Sequence, residues 1–538
     1  MKHLLRWAVV LAAMQPVLGC TQNTNSFTYN LELVPVDLPD LPGIHSYAHA
    51  QHDGKWLIIG GRLDGLHARQ PFNSFPANSN NTLMMVVDLE ASAVYTASVD
   101  QLPTALAEQF QSSNLNYHQV GEVLYLVGGY AFSASADDHI TQPRIAALSV
   151  PEVIEAIVEG GSFDGLIDYI DNDFFAVTGG QLHVLGNRLA LVGGHRFDGR
   201  YNPMNNPTFT QSYTNGIRLF TASFVDGVLT VGDFETWSDP VHLHRRDYDL
   251  LPYRTADGTN GLTLFSGVFQ LNEDLPFLYP VAITEEGYTP VTEFNQYLSQ
   301  YHNACVSLYS ADAQQTHALF FGGMSQFYYQ NDVLVEDQLV PFVKTVSRVT
   351  RFADGAMAEF RLPVEFDAFR GASAEFFPAE DIPVDSETGL VLLDEITADS
   401  FTLGYVVGGI NSGQLNPFSV NQTSSTSASS VVFEVRLTRT TVSVGTPVVN
   451  ESAPEVTVYP NPVEGIFHIG FALNAPIDVV VMLTDTKGTL VMNEPLGTLS
   501  AGAQDLELEL YEDFSGEVLL VTVVFGNRHY VTKRLVVR

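Results

Sequence analysis

Residues 318–323 read ALFFGG, a run of apolar side chains that ends at two glycines. Successive side chains of a β-strand point to opposite faces of the sheet. A run without polar alternation therefore predicts a strand that is buried on both faces. The glycines indicate a place where no side chain fits, or where the backbone needs a positive φ angle. Whether this stretch decides the fold depends on whether it recurs.

The pattern recurs along most of the chain. Its six copies are WLIIGG (56–61), LYLVGG (124–129), LALVGG (189–194), LTLFSG (262–267), ALFFGG (318–323) and LGYVVGG (403–409). A polar lead-in and a tight turn such as HDGK or LGNR precede the apolar strand, and two further strands follow it. Each copy therefore predicts a unit of four antiparallel strands. If the glycines only marked the ends of unrelated hairpins, six copies in the same register would not be expected.

Six four-stranded units, with a double glycine after the second strand of each except LTLFSG, which keeps only the second glycine, resemble the kelch-type β-propeller over residues 27–445. The resemblance implies an all-β, six-bladed propeller in which the blades pack face to face and bury their inner strands. The aromatic positions typical of the family are poorly kept in this chain, so we describe the predicted fold as kelch-like.

A propeller must close its ring, because an open ring leaves an unpaired sheet edge. The last unit supplies SSVVFEVRLTRT (429–440) as its third strand and has no fourth. The segment FTYNLELVPVDLP (27–39) resembles the fourth strands of the other units. We therefore predict that Phe27 to Val36 completes the sixth blade as its outer strand.

The C-terminal part reads as a separate small domain. TPVVNESAPE (446–455) predicts a linker, and residues 456–538 contain only strand and turn patterns, which predict a β-sandwich. The residues Tyr459–Pro462, Gly465, Asp485, Gly488, Gly516 and Lys533 resemble the C-terminal sorting domain of the type IX secretion system. That resemblance implies type IX secretion machinery as a partner of residues 456–538, a secreted or cell-surface location, and a domain that is often removed after export. The alternative is an accessory sandwich domain.

Residues 1–19 have two early basic residues, an apolar core and small residues at the end, which predicts a secretory signal peptide. Val17-Leu18-Gly19-Cys20 resembles a bacterial lipobox, which implies lipidation of Cys20 and a lipid anchor as the membrane contact. An ordinary signal-peptidase cut before Cys20 is the alternative. Cys305, the other cysteine of the chain, is predicted to be a small buried thiol.

Charge and motif content exclude several functions. The formal net charge of −36 argues against a nucleic-acid partner. The chain has no phosphate-binding loop, zinc-protease motif or nucleophile elbow. The copper oxidases among kelch propellers need a cysteine crosslinked to a tyrosine, and nothing around Cys305 supports this. We therefore predict no cofactor and no metal, and we assign no catalytic residue.

The richest polar stretch is HLHRRDYD (242–249), which leads into the fourth unit. Strand alternation would place His242, His244 and Arg246 on one face and Arg245 and Asp247 on the other. Other lead-ins contain His49, His118 and His183. The predicted ligand-binding residues, all near one end of the ring, are Arg245, Arg246, Asp247, His302, Asn303, Arg370 and Glu375. The alternative is a ring of buried salt bridges that ties the blades together; a metal site at His242 and His244 would lack a third ligand.

These observations predict a secreted or surface propeller that binds a glycan or a protein through one face. The first alternative is a carbohydrate-modifying enzyme. Six-bladed kelch-like propellers include sialic acid mutarotases, and that resemblance implies Arg245 and Arg246 as carboxylate ligands and Glu375 as an acid/base residue. The second alternative is a structural or adhesive surface protein.

Overall fold

The computed structural model describes residues 25–202, 208–512 and 514–538. The predicted signal peptide and Cys20 lie outside the described residues. The protein is all-β, as the sequence predicts. Within the described residues, no helix has the length and apolar character needed to cross a bilayer.

The first half of the chain builds three four-stranded antiparallel sheets. A first strand, β1 (Tyr29–Val36), precedes them. Sheet one contains β2 (Ala48–His52), β3 (Lys55–Ile59), β4 (Leu83–Asp88) and β5 (Ala93–Ser98). Sheet two contains β6 (Asn116–Val120), β7 (Val123–Val127), a side hairpin of β8 (Tyr130–Ser133) and β9 (Asp138–Thr141), then β10 (Pro143–Ser149) and β11 (Ile167–Ala176). Sheet three contains β12 (Gln181–Leu185), β13 (Arg188–Val192), a side hairpin of β14 (His195–Gly199) and β15 (Phe209–Tyr213), then β16 (Gly216–Val225) and β17 (Val228–Ser238).

The second half repeats the arrangement. Sheet four contains β18 (Asp249–Arg254), β19 (Asn260–Phe265), β20 (Val281–Thr284) and β21 (Gly287–Pro290). Sheet five contains β22 (Cys305–Ser310), β23 (Gln315–Phe321), a side hairpin of β24 (Phe327–Gln330) and β25 (Val333–Glu336), then β26 (Thr345–Arg351) and β27 (Met357–Glu365). Sheet six contains β28 (Phe369–Pro378), β30 (Ser400–Ser412) and β32 (Val432–Arg439), with the short strands β29 (Val391–Leu392) and β31 (Thr426–Ala428) in its loops.

Two α-helices interrupt the strand pattern. The helix α1 (Thr104–Phe110) connects sheets one and two, and α2 (Val150–Glu159) lies between the last two strands of sheet two. Short 3₁₀ turns occur at Pro71–Asn73, Ala77–Ser79, Val99–Gln101, Leu393–Glu395 and Thr423–Ser425. The sequence pattern predicts neither helix.

The first strand of the chain closes the ring. β1 pairs antiparallel with β32 in an unbroken register from Tyr29 opposite Arg439 to Val36 opposite Val432. Sheet six thereby gains its fourth strand from the other end of the propeller. This confirms the closure that the sequence predicts, and the six sheets are the blades of a propeller.

The glycines after the apolar stretches lie where neighbouring blades approach closely. A Cβ on Gly322 would lie 2.3 Å from the carbonyl oxygen of Arg370, the second residue of β28 in the next blade. The N–H of Gly323 donates to the same oxygen at 2.8 Å. The second glycine of each of the other five copies makes the equivalent bond to the next blade: Gly61 to Ser112, Gly129 to Val177, Gly194 to Arg245, Gly267 to Gln300 and Gly409 to Ile44. The last of these bonds joins blade six to blade one.

The C-terminal part is a two-sheet sandwich. One sheet contains β34 (Thr457–Tyr459), β35 (Ile466–Leu473) and β38 (Gly502–Glu509), and the other contains β36 (Ile477–Asp485), β37 (Leu490–Leu499), β39 (Val518–Phe525) and β40 (His529–Val536). The segment 446–455, predicted as a linker, begins with the two-residue strand β33 (Thr446–Pro447), which pairs with β27 of blade five.

Candidate binding site on the propeller axis

A closed ring of backbone hydrogen bonds surrounds the axis. Each blade contributes one residue at the start of its first strand, and the N–H of that residue donates to the carbonyl of the residue from the preceding blade. The bonds are Asn114 to Ser46 (3.0 Å), Gly179 to Asn114 (3.4 Å), Asp247 to Gly179 (2.7 Å), His302 to Asp247 (3.1 Å), Ser373 to His302 (2.8 Å) and Ser46 to Ser373 (3.0 Å). Five of these residues have φ angles between 50° and 65°. Asp247 has this left-handed conformation, which Asn, Asp and Gly tolerate best, whereas His302 is the one ring residue without it.

A small cavity of about 20 Å³ adjoins this ring. It has room for roughly one water molecule. Its polar lining includes Tyr47, Tyr117, Asp247, His302 and Glu375. The structure therefore brings three of the predicted ligand residues together at the axis, in a space smaller than a sugar ring.

His302, Glu375 and Tyr117 form a hydrogen-bonded group in this cavity. The hydroxyl of Tyr117 donates to Glu375 Oε2 at 2.8 Å, and His302 Nε2 lies 3.3 Å from Glu375 Oε1. Burial lowers the pKa of His302, but the charge and hydrogen bond of Glu375, together with the charges of Asp249 and Asp247, raise it to about 9. His302 is therefore a half-buried cation at neutral pH, paired with Glu375.

Asn303 and Asp249, next to this group, have a structural role. The backbone N–H and the side-chain Nδ2 of Asn303 donate to Asp249 at 3.1 and 2.9 Å, and its Oδ1 accepts from the N–H of Phe321. Asp249 is 2% exposed, and burial raises its pKa to about 7. Asn303 thus connects the first strands of blades four and five and has no free polar atom for a ligand.

The structure separates the two neighbouring arginines. Arg245 is fully buried, with its guanidinium 4.1 and 4.6 Å from the ring centres of Phe277 and Tyr279. It donates to the backbone oxygens of His242, Ser266 and Tyr279. Burial lowers its pKa. Arg245 therefore holds the inside of blade four together and lies away from the axis cavity.

Arg246 faces the mouth of the channel instead. Its Nε donates to the hydroxyl of Tyr213 at 3.1 Å, its NH1 pairs with Asp247, and its guanidinium lies 5.0 Å from the ring centre of Phe269. The side chains of Arg246, Asp247 and His302 are 19%, 21% and 18% exposed. Among the predicted ligand residues, these three combine a place at the axis with some access to solvent.

The assumed strand alternation of HLHRRDYD is wrong, because residues 240–248 form turns and one isolated bridge before β18 begins. His242 Nδ1 contacts the Tyr279 hydroxyl at 2.8 Å, whereas the ring of His244 stacks on Tyr213 at 3.8 Å. The two histidines therefore have different surroundings and do not share a face.

The remaining predicted residues lie elsewhere. Arg370 pairs with Asp367 and donates to Asn411 at 2.7 Å, beyond the cavity lining. The ring centres of His118 and His183 lie 4.1 Å apart, with the rings tilted by 37°. Burial lowers the pKa of both, so they are neutral packing residues. Among the described residues, no group of three or more His, Cys, Asp or Glu side chains could hold a metal ion.

A long loop of blade one covers the mouth. We call residues 62–80 the strap. At one end the N–H of Leu66 donates to Thr426 Oγ1 of blade six at 2.8 Å, and at the other Ser74 Oγ donates to the carbonyl of Tyr201 in blade three at 2.8 Å. Between them, the ring of His67 lies 4.8 Å from that of Tyr201 and 5.4 Å from that of Phe418. Blades three and six are opposite each other, so the strap crosses the axis.

The strap presents an outward surface as well. Phe72 at its middle is 71% exposed. Two residues before Phe72, Gln70 donates to Asn421 of the blade-six loop at 2.9 Å. Within that loop, Gln414 donates to Gln422 and Ser425 at 2.9 Å. The sequence analysis did not identify Phe72, Gln70 and this amide group, because a loop has no periodic pattern. The only sequence sign of the strap is the unusual length of the segment between the first double glycine and β4.

A cavity of about 880 Å³ opens on the opposite face between blades one and six. Its charged lining includes Lys55, Asp88 and Glu380, and Lys55 pairs with Asp88 at 3.4 Å. None of the predicted ligand residues lines it.

Comparison with known proteins identifies the tail. Residues 457–538 match the secretion system C-terminal sorting domain. The chain is therefore an exported, all-β protein. It carries a type IX sorting domain, so it is secreted or displayed at the cell surface, and the type IX machinery is a partner.

The comparison adds little about the propeller. No curated protein matches the chain. Among solved structures, that of YjhT is 12% identical with a TM-score of 0.39, covering 70% of this chain and 94% of that one. A fungal alcohol oxidase of the AA5 family, in complex with copper, is 9% identical with a TM-score of 0.35, covering 95% of this chain and 100% of that one.

Proposed function

We propose that the protein is an exported kelch-type propeller that binds a glycan on the face covered by the strap. The observation that carries this proposal is the exposed ring of Phe72 in the strap, two residues after Gln70, whose amide is hydrogen bonded to that of Asn421 in the blade-six loop. Sugar hydroxyls both donate and accept hydrogen bonds, and side-chain amides offer both functions. An exposed aromatic ring offers an apolar surface to the C–H face of a sugar.

Two residues near the propeller axis also favour a binding site on the face that the strap covers. Arg246 and Asp247 remain candidate ligand residues because their side chains reach the mouth and are partly exposed. Arg246 also holds Tyr213, on which His244 stacks, so it stabilises the loops around the strap. Arg245, Asn303 and Arg370 have protein partners that account for their positions, which favours a structural role for them.

A glycan array with the full-length mature protein tests the proposal. We expect binding to at least one glycan class, and Phe72→Ala should weaken it about tenfold, which corresponds to about 1.4 kcal/mol. Val225, which is 63% exposed in the β16–β17 turn on the opposite face, provides the matched control Val225→Ala. An array without hits, or equal losses in both variants, would contradict the proposal and favour an adhesive or structural role.

The second candidate is a carbohydrate-modifying enzyme. It is favoured by one observation, the charged His302 paired with Glu375 beside the Tyr117 hydroxyl. Such a group could move a proton at the axis. If the array identifies a glycan, a turnover assay with His302→Gln decides between the two: loss of product formation with unchanged glycan affinity favours the enzyme.

A further inference from the structure

One sheet of the sorting domain is buried on both faces along its two central strands, β36 and β39. In β36, the side chains of Val479, Val481 and Leu483 point into the core of the sandwich. The intervening residues of a sandwich strand are expected to face water. Here they are apolar and covered instead: the outer face of this sheet contains Val480, Met482, Val524 and Tyr530, which are 8%, 1%, 3% and 4% exposed.

Blade four covers this outer face. The ring of Tyr530 lies 4.7 Å from that of Tyr279, and the Tyr530 hydroxyl donates to Gln270 Oε1 at 2.8 Å. Gln270 Nε2 in turn donates to the carbonyl of Asn527 at 2.9 Å. Both polar ends of Gln270 are therefore satisfied by the sorting domain, and Val480, Met482, Val524 and Tyr530 belong to the same hydrophobic cluster as the core of blade four.

Specific polar contacts surround the apolar centre. Asn272 and Asn493 exchange two amide hydrogen bonds, of 3.1 and 2.8 Å. Arg528 pairs with Glu336 on the β24–β25 hairpin of blade five. A Cβ on Gly488 would lie 2.1 Å from the carbonyl oxygen of Ser238, so this glycine allows the two backbones to approach closely. An apolar centre with a polar rim is the composition of a specific interface.

We propose that the propeller holds the sorting domain through this interface, so that cutting the connecting segment leaves the domain bound. The connection is a single stretch around residues 449–455, and Ser452 in it is exposed. The domain therefore stays with its cargo by surface complementarity in addition to the peptide chain. The secretion machinery then meets the sorting domain with its β34–β35–β38 sheet accessible and the outer face of its other sheet covered.

The test uses the full chain with the recognition sequence of a site-specific protease inserted between Ser452 and Ala453. After complete cutting, size-exclusion chromatography at about 1 µM measures whether the two fragments elute together; at that concentration co-elution requires a Kd below about 1 µM. We expect co-elution of the wild-type fragments. Met482→Asp combined with Tyr530→Asp should release the domain, whereas Val536→Asp, an exposed position on β40, should leave the fragments together.

Separation of the cut wild-type fragments would overturn the proposal, as would co-elution of the cut double variant. If the double variant fails to fold, Asn272→Asp combined with Asn493→Asp replaces it, because the bond between these side chains is exposed to solvent and two facing carboxylates repel each other. This pair should raise the fraction of released domain at least twofold; an unchanged fraction then counts against the proposal. None of these outcomes depends on whether the strap face binds a glycan.

Discussion

At the scale of single residues, Arg245 and Arg246 show how neighbours in sequence can have unrelated roles. Arg245 donates to three backbone oxygens inside blade four, and Arg246 reaches the channel mouth. The sequence places two arginines near one end of the ring, but it does not reveal which one faces the axis. That choice depends on the turn at residues 240–248, whose left-handed Asp247 has no periodic signature.

The two arginines predict opposite mutational phenotypes. Arg245→Ala should lower the free energy of unfolding by about 3 kcal/mol or more, because it leaves buried carbonyls without donors and a cavity between two aromatic rings. Arg246→Gln should cost less than about 1 kcal/mol, because its partners remain in reach of solvent. Chemical denaturation measures both values. Equal losses in the two variants would contradict the assignment of Arg245 to the core and Arg246 to the mouth.

The axis histidines predict pH effects of opposite sign. The pKa of His302 is raised to about 9, so its contribution to stability is fully present below pH 6.5 and is lost as the pH rises through 9. Burial lowers the pKa of His49 to about 4, so its contribution is present above pH 6.5 and is lost as the pH falls through 4. His302→Gln should therefore flatten the stability curve between pH 6.5 and 9, and His49→Gln between pH 4 and 6.5.

Unfolding midpoints in denaturant, measured for both variants at intervals from pH 4 to 9, check these two predictions. Each variant serves as the control for the other, because both residues lie next to Glu375. If both variants changed the slope in the same pH range, the assignment of charged His302 and neutral His49 would be wrong.

At the scale of elements, the double glycine carried most of the prediction. It located the second strand of every blade, and the bonds from Gly61 and Gly323 to the next blade show why a side chain is not tolerated there. The elements that the sequence did not predict lack this constraint. The helix α2, the three side hairpins and the strap are insertions between blade strands, and their positions depend on contacts with neighbouring blades.

The strap is expected to be dispensable for folding and required for glycan binding. The isolated bridge between Arg62 and Asn80 closes its base, so residues 65–78 can be replaced by a short Gly-Ser turn. The shortened protein should keep its β-sheet circular dichroism spectrum and a cooperative thermal transition, and lose glycan binding. Retained binding would show that Phe72 and Gln70 are not part of the site, and complete unfolding would show that the strap is structural.

At the scale of the whole molecule, two sets of six inter-blade hydrogen bonds and the pairing of β1 with β32 close the ring of blades. The N–H of each second glycine and the N–H of each ring residue reach the neighbouring blade, and the last bonds of each set join blade six to blade one. Closure could be predicted because β1 has the alternating pattern of an outer strand. The contact with the sorting domain could not be predicted, because the sequence pattern around Val480 and Met482 is equally compatible with residues in the core of a sandwich.

Removing β1 should therefore open the circle. Deletion of residues 27–38 removes Phe27, Tyr29 and Leu31 from the core shared by blades five and six, and it exposes the edge of β32. An unpaired edge with an apolar face is prone to aggregation, so we expect insoluble protein or a broad, non-cooperative thermal transition. Leu31→Asp, at a position 5% exposed, should reproduce this loss, whereas Glu32→Ser on the exposed side of the same strand should not. A soluble deletion variant that melts cooperatively at the wild-type temperature would mean that the circle is held without its N-terminal strand.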